Sequence, residues 1–198
     1  MTTVFVEPKL DLYKFFDNKS IAVIGNAESL FQGEYGNEID SHDIIIRLNL
    51  GAPLVWQNND LRIKTSHGIK TDVWCLAKVS EELQSNYNKF RHNVSLVITT
   101  HDIEKSTADY TAAVEKLPRL KKLVSTWPDT WPSTGCRILD YIKDFNYASV
   151  DVYGFDWKKT PTFYDRNIPK EWHEYDREED YCREVLIKWY GYNFKGIT

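Results

Sequence analysis

A mostly parallel, three-layer α/β sheet of Rossmann-like form is the fold class this sequence predicts, and three observations carry it. Apolar, β-branched runs recur along the chain. They are continuous rather than alternating, as in strands covered on both faces. Helical patterns lie between several of them, and strand-helix alternation is the mark of a parallel sheet flanked by helices.

Taken in order, the first run is Ile21–Ile24, which ends on Gly25-Asn26. A glycine there lets the backbone turn sharply and approach a ligand closely. The second run is Ile44–Leu48. Ala52 to Lys70 is the least regular stretch, rich in Asn, Lys and His, and reads as a long loop, either functional or simply flexible. Val73–Ala77 is the next strand. Ser80–Phe90 follows, where Ser-Glu-Glu supplies a cap and an acidic first turn. Val94–Thr99 is a strand, Thr107–Leu117 a helix stopped by Pro118, and Leu123–Thr126 another strand. Cys136–Phe145 puts Ile138, Leu139, Ile142 and Phe145 on one stripe, so a helix is predicted there. Val150–Phe155 is the last predicted strand, and Arg177–Tyr190 a closing helix with Tyr181, Val185, Leu186 and Trp189 on its apolar face. No repeat or clear linker interrupts the series, so residues 1–198 read as one domain.

Bulk properties narrow the function classes. With 42% apolar and 27% charged residues the chain has an ordinary globular composition, and its net charge of −4 offers no general attraction to nucleic acid or anionic membrane. Met1 to Asn18 carries charges throughout and holds no long apolar block. Neither a signal peptide nor a membrane anchor is expected, and cytoplasmic residence follows. Cys75, Cys136 and Cys182 lie in apolar or helical patterns without paired metal-ligand spacing, so buried thiols are expected.

Ligands in such sheets bind beyond the carboxyl ends of the strands. Two segments about a hundred residues apart are suited to that place. One is Gly25-Asn26, whose amide can donate and accept; the other is Pro132-Ser133-Thr134-Gly135 before a helix. Ser133 or Thr134 can cap that helix, and its free N–H groups would favour a phosphate. The dinucleotide fingerprint is absent, since its second and third glycines would fall at Ala27 and Leu30, which disfavours a nicotinamide-dependent reductase. His173 stands just before the last helix and is the candidate general base, with Glu174, Asp176 and Glu178 near enough in sequence to orient it. His42 reads as a self-satisfied turn residue, while His67 and His101 are loop residues without a convincing partner. There is no Asp-x-Asp tripeptide and no metal-ligand spacing, so metal-independent chemistry is expected. Trp127 and Trp131 are candidates to stack on a sugar or base.

These segments resemble the sialylmotifs of glycosyltransferase family 29, the animal-type sialyltransferase family. The large motif is matched by Ala22–Asn26, Leu30, Tyr35-Gly36, Ile39–Asp43, Arg47–Asn49 and Ala52-Pro53, continuing to Asp60 and Lys64–His67. Pro132–Gly135 and Val150–Phe155 match the small motif, and His173 with Glu178 the very small one. The resemblance implies a GT-A-like variant of the Rossmann-like fold and a CMP-sugar donor. Asn26 and Asn49 would contact the nucleotide, with Gly25 at the turn, and Ser133, Thr134 and Gly135 its ribose or phosphate. His173 would deprotonate a glycan or other hydroxyl acceptor, with inversion and without a metal or other cofactor.

The departures are informative. The family's disulfide positions fall on Ile21 and Tyr147, and both cysteines are missing. The third motif, Thr162-Phe163-Tyr164-Asp165, has threonine where the family has a histidine that stabilises the donor phosphate. Tyr164, Lys158, Lys159 and Arg166 are candidates to replace it. A compact microbial or viral member is the natural inference. Two alternatives stay open: a CMP-binding protein without catalysis, and a transferase using another activated sugar on a non-glycan acceptor such as a modified DNA base.

Overall fold

The computed structural model describes residues 11–77, 81–100, 110–111, 131–167 and 173–196. Its centre is one seven-stranded sheet: β1 (Ser20–Ile24), β2 (Ile44–Leu48), β3 (Val73–Leu76), β4 (Leu96–Thr99), β5 (Tyr110–Thr111), β6 (Ser149–Tyr153) and β7 (Asn193–Lys195). Their order is β5-β4-β3-β2-β1-β6-β7, and every pairing is parallel. The expected architecture is therefore present. Ile21 stands opposite Ile44 on one side and Val150 on the other. A slip by one residue would exchange the two faces of the strand, but both are apolar here, so register rests on the two different apolar layers they meet.

Those layers make the sandwich. Ile21, Val23, Ile44, Ile46, Val150 and Val152 face one core with α1 (Leu12–Phe16), α6 (Thr134–Ile142) and the last helical segment. Their neighbours Ala22, Ile24, Ile45 and Tyr153 face the other way, onto Leu30 and Ile39. Trp74, Leu76 and Val97 extend that second layer beneath α3 (Gly51–Gln57) and α5 (Glu81–Phe90), through Ala52 and Phe90. Side-chain alternation along strands of this kind sends successive residues to opposite layers. Cys75, Cys136 and Cys182 are free and buried, as expected. Ile21 and Tyr147, where the resemblance would place a disulfide, instead pack in the same apolar layer.

Several local expectations are corrected. The stretch read as a loop holds two short helices, α3 and α4 (Leu61–His67). They form because Ala52, Val55 and Ile63 find buried positions, while Asp60 caps α4 by accepting from the Arg62 N–H at 2.8 Å. Inside the predicted helix Thr107–Leu117, Tyr110–Thr111 pair with β4 as a strand; the rest of that segment, and the predicted strand Leu123–Thr126, lie outside the described residues. α1, α2 (Gly36–Asp40), a 3₁₀ turn at Glu28–Gln32 and the edge strand β7 had no signal in the sequence pattern. The closing helix starts as α7 (Tyr175–Tyr181), passes through a π-helical stretch at Cys182–Ile187 and ends at Tyr190. Among the described residues no helix is long and apolar enough to cross a membrane.

Candidate active site

The chain order reverses between β1 and β6. From β1 the sheet grows through β2 to β5, and from β6 it grows the other way to β7. A crevice opens at the carboxyl ends of the strands at such a switch point. A cleft of about 270 Å³ lies there, near the lower end of small-molecule sites at roughly 300 Å³. Gly25, Asn26, Asn49, Ser133, Thr134, Gly135, Tyr164 and His173, the residues singled out from the sequence, all line it. Residues from five separate stretches of chain therefore share one wall.

The glycines hold the crevice tight. Gly25 follows β1 and donates its N–H to the Tyr153 carbonyl at 2.7 Å; a Cβ there would stand 2.3 Å from the Gly154 oxygen. Gly154 follows β6 with φ +65°, which a glycine adopts without strain. A Cβ on Gly135 would meet the Phe155 ring at 2.5 Å. Absent side chains thus bring the two strand ends and the α6 start into contact.

Asn26 donates from Nδ2 to the Leu48 carbonyl and to the Tyr164 hydroxyl, both at 3.3 Å. Its Oδ1 sits directly over Gly51, 2.3 Å from where a Cβ would be. Asn49 adopts φ +48°, accepts from the Ala77 N–H on Oδ1 at 2.7 Å and from Trp74 Nε1 on its carbonyl at 2.7 Å. With Oδ1 engaged, what Asn49 can offer a ligand is its amide N–H pair.

Ser133 caps α6, its Oγ accepting from the Cys136 N–H at 3.2 Å. The Ser133 N–H and hydroxyl donate in turn to the two carboxylate oxygens of Glu178, each at 2.6 Å. Glu178 is 3% exposed, and burial pushes its carboxyl up to about 7, against the pull of the Ser133 hydrogen bonds and the Arg137 charge. The first turn of α6 still leaves the Thr134 and Gly135 N–H groups without intrahelical acceptors. Glu178, close enough to His173 in sequence to orient it, holds Ser133 instead, across 45 residues of sequence.

His173 is oriented by a different group. Its Nδ1 is 2.5 Å from the Trp131 carbonyl, which can only accept, so Nδ1 carries the hydrogen and Nε2 the lone pair. Burial lowers its pKa, partly opposed by that hydrogen bond, and the charges of Arg137 and Lys158 lower it further. The ring is therefore neutral at pH 7 with a basic nitrogen available, as a general base requires. Trp131 itself is exposed at the rim, 57% of its surface open. Trp127 and His101 fall outside the described residues.

Two further cleft residues carried only part of a signal in the sequence. Lys158 donates from Nζ to Thr162 Oγ1 at 2.6 Å. It follows Trp157, and both hold left-handed backbone conformations, φ 50° and 62°. Such conformations cost roughly 1–2 kcal/mol per non-glycine residue and mark functional turns more often than chance would. Thr162 is joined to Ala27 and Asp165 by single β-bridges, so the third-motif loop is pinned beside the β1 turn.

Other motif residues are scaffold. Arg47, 2% exposed, donates to the carbonyls of His67 at 2.7 Å and Lys70 at 3.0 Å; burial lowers its pKa to about 10, so it stays charged. Asp40 accepts from the N–H groups of Ile69 and Lys70. His42 bridges the Glu38 carbonyl and the Asp151 carboxylate, each at 2.9 Å, so its bonds reach beyond its own turn. His67 is no loop residue: it is buried at the end of α4 between Phe31 and Phe163. Ser66 Oγ donates to the Arg62 carbonyl and so accepts from His67 Nδ1 at 2.6 Å, and Nε2 has no partner among the described residues. Among the described residues, no three His, Cys, Asp or Glu side chains gather as a metal site.

Comparison with known proteins bears on the fold and the family. The model of glycosyltransferase family 29 (sialyltransferase) matches residues 7–134. A CMP-N-acetylneuraminate-beta-galactosamide-alpha-2,3-sialyltransferase 1 of Pan troglodytes is 46% identical over 163 residues, 68% of this chain and 43% of that protein. The Gallus gallus protein of the same name is 31% identical over 83 residues, 42% of this chain and 20% of its own length. This chain thus spans less than half the length of these relatives. A mammalian sialyltransferase solved with Gal-beta-1-3GalNAc-ortho-nitrophenol superposes with TM-score 0.57 at 17% identity, covering 91% of this chain and 70% of that one. The sialyltransferase CstII from Campylobacter jejuni, solved with cytidine-5'-monophosphate, gives TM-score 0.60 at 12% identity, covering 90% of this chain and 79% of that one. Those two likenesses establish the fold, and the family match, which runs over more than half of the sequence, establishes kinship. The chain belongs to glycosyltransferase family 29, the sialyltransferase family.

Proposed function

We propose that this chain transfers a sugar, sialic acid or a related one, from a CMP-sugar to a hydroxyl acceptor such as a glycan, with inversion and without a divalent cation. The observation that carries the reading is the His173 tautomer. The Trp131 carbonyl holds the hydrogen on Nδ1, so Nε2 is a proton acceptor in the wall that also contains Asn26 and Gly135. In the reaction the acceptor hydroxyl gives its proton to Nε2 as its oxygen bonds to the anomeric carbon. The bond from that carbon to the phosphate oxygen breaks, and its electron pair leaves with CMP. Asn26 and Asn49 would contact the nucleotide, with the Thr134 and Gly135 N–H groups directed to its ribose or phosphate. Positioning donor and acceptor in one cleft supplies much of the rate, and the base typically contributes about 10²–10⁴-fold.

The test is transfer and donor hydrolysis with CMP-sugars by the wild type and by His173→Ala. A wild type that neither binds CMP nor turns over any CMP-sugar sinks the reading. Full activity in His173→Ala removes only the base assignment, and loss of activity in chelator removes metal independence. Tight CMP binding with no turnover over a broad acceptor panel would favour a non-catalytic binding protein, a reading that Thr162 at the family's histidine position motivates.

A further inference from the structure

We infer that Lys158, positioned by Thr162, is the cationic group that stabilises the departing phosphate, in the role the family assigns to a third-motif histidine. The inference rests on the CMP-sugar reading and adds the residue that completes it. Four side chains near the third motif could supply a donor, and the structure separates them. Lys159 Nζ is 3.2 Å from Glu179 and lies 5.7 Å from the Trp157 ring centroid, away from the cleft wall. Arg166 is paired with Glu28 and is also absent from that wall. Tyr164 lines the cleft, but its hydroxyl accepts from Asn26, and a phenol carries no positive charge. Lys158 lines the cleft and brings an ammonium to Thr162 itself.

The turn is built to hold it there. Trp157 is 8% exposed and stacks on Phe194 with centroids 5.6 Å apart. Asp156 closes the loop, its carboxylate accepting from the Thr160 N–H at 3.0 Å and its carbonyl from the Lys159 N–H at 3.0 Å. Between these anchors Lys158 keeps its left-handed conformation and extends toward Thr162. Its charge also lowers the pKa of His173, which places ammonium and base in the same cleft. An ammonium has three donors, so it can keep the Thr162 bond while a phosphate oxygen takes another.

The chemistry favours a cation at this point. Bond cleavage sends an electron pair onto the phosphate oxygen, so the nucleotide goes from one negative charge to two. A fixed positive group gains more in the transition state than in the bound donor, and that difference lowers the barrier. No proton need move to or from Lys158. Thr162 is a positioning residue, acting through the lysine.

The test reads binding and turnover separately. Lys158→Met should lower kcat about 100-fold, the usual size for loss of one such donor, with little change in KM for the CMP-sugar. In calorimetry it should weaken CMP about tenfold or more and leave cytidine unchanged, since only CMP carries the phosphate. Lys158→Arg should recover part of kcat. Thr162→Val should lower kcat with KM kept, and Thr162→Ser, which retains the hydroxyl, should restore it. Adding Thr162→His to Lys158→Met should raise kcat by returning a donor to the family's position. A folded Lys158→Met, judged by an unchanged melting transition, that keeps wild-type kcat or loses cytidine affinity as much as CMP affinity overturns the inference. Failure of the wild type to bind CMP would instead overturn the underlying function.

Discussion

Replacing Glu178 by glutamine should reverse sign with pH. Burial raises the folded-state pKa of Glu178 from 4.5 to about 7. Between those values the folded chain keeps a proton that the unfolded chain has released, so its contribution is full below pH 4.5 and is lost as pH rises through 7. The shift corresponds to about 3 kcal/mol at ~1.4 kcal/mol per unit. Glutamine cannot ionise and still offers an acceptor to the Ser133 N–H and a donor to its Oγ. The charged hydrogen bonds from Ser133 already enter that pKa, so the remaining difference is the poorer fit of an amide than of a protonated carboxyl, about 1 kcal/mol. At pH 5 the variant should therefore be as stable as the wild type or slightly less so. At pH 8 it should be more stable by about 2–3 kcal/mol, a rise in Tm of roughly 4–12 °C for a chain of this size. The assay is thermal melting of both proteins from pH 4.5 to 8.5, read as the difference in Tm. The difference matters because His67 and His173 have lowered pKa values and contribute with the opposite sign, gaining stability as pH rises. A Tm difference that stays flat across that range would refute the buried, raised carboxyl and with it the account of how α7 holds the start of α6.

Three further outcomes follow from the same geometry. His173→Ala should lower transfer about 10²–10⁴-fold while CMP affinity stays within a few-fold, measured by kinetics and calorimetry on one preparation. His67, pushed down to about 3 by burial and then by the Arg47 charge, contributes stability above pH 6.5 that is lost toward acid; at pH 4 the loss is about 3 kcal/mol, so the stability gap between wild type and His67→Gln should narrow or reverse from pH 7 to 4 in urea melts. Gly25→Ala puts a methyl 2.3 Å from a backbone oxygen that cannot swing away, so it should cost at least about 2 kcal/mol in denaturant unfolding and weaken CMP binding together with it.

The sheet was legible because its strands are buried on both faces, and continuous Ile/Val runs such as Ile44–Leu48 have few other homes. The candidate site was legible in two ways: Gly25-Asn26 closes the first strand run and Pro132–Gly135 precedes a helix, while Asn49 and Tyr164 are marked by the resemblance to the sialylmotifs. Where the sequence misled, local and tertiary signals disagreed. α3 and α4 are only seven residues each, too short to be stable by propensity; α3 is held on the second apolar layer through Ala52, and α4 against α2 and the 3₁₀ turn. Tyr110–Thr111 sit in a helical pattern but complete a sheet edge.

Fold class thus follows from one-dimensional pattern, since burial periodicity is a local property, and family kinship with its site residues follows from the motif resemblance. The assignment of partners needed three dimensions. Glu178 lies five residues from His173 in sequence yet serves Ser133, while His173 takes its orientation from the Trp131 carbonyl. Likewise, only the fold separates the four candidates near the third motif: Lys158 and Tyr164 line the cleft, Lys158 with its ammonium on Thr162, while Lys159 and Arg166 are not part of that lining. Hydrogen bonds and charges act over a few ångströms of space, and only the folded chain decides which residues, distant or adjacent in sequence, come within that reach.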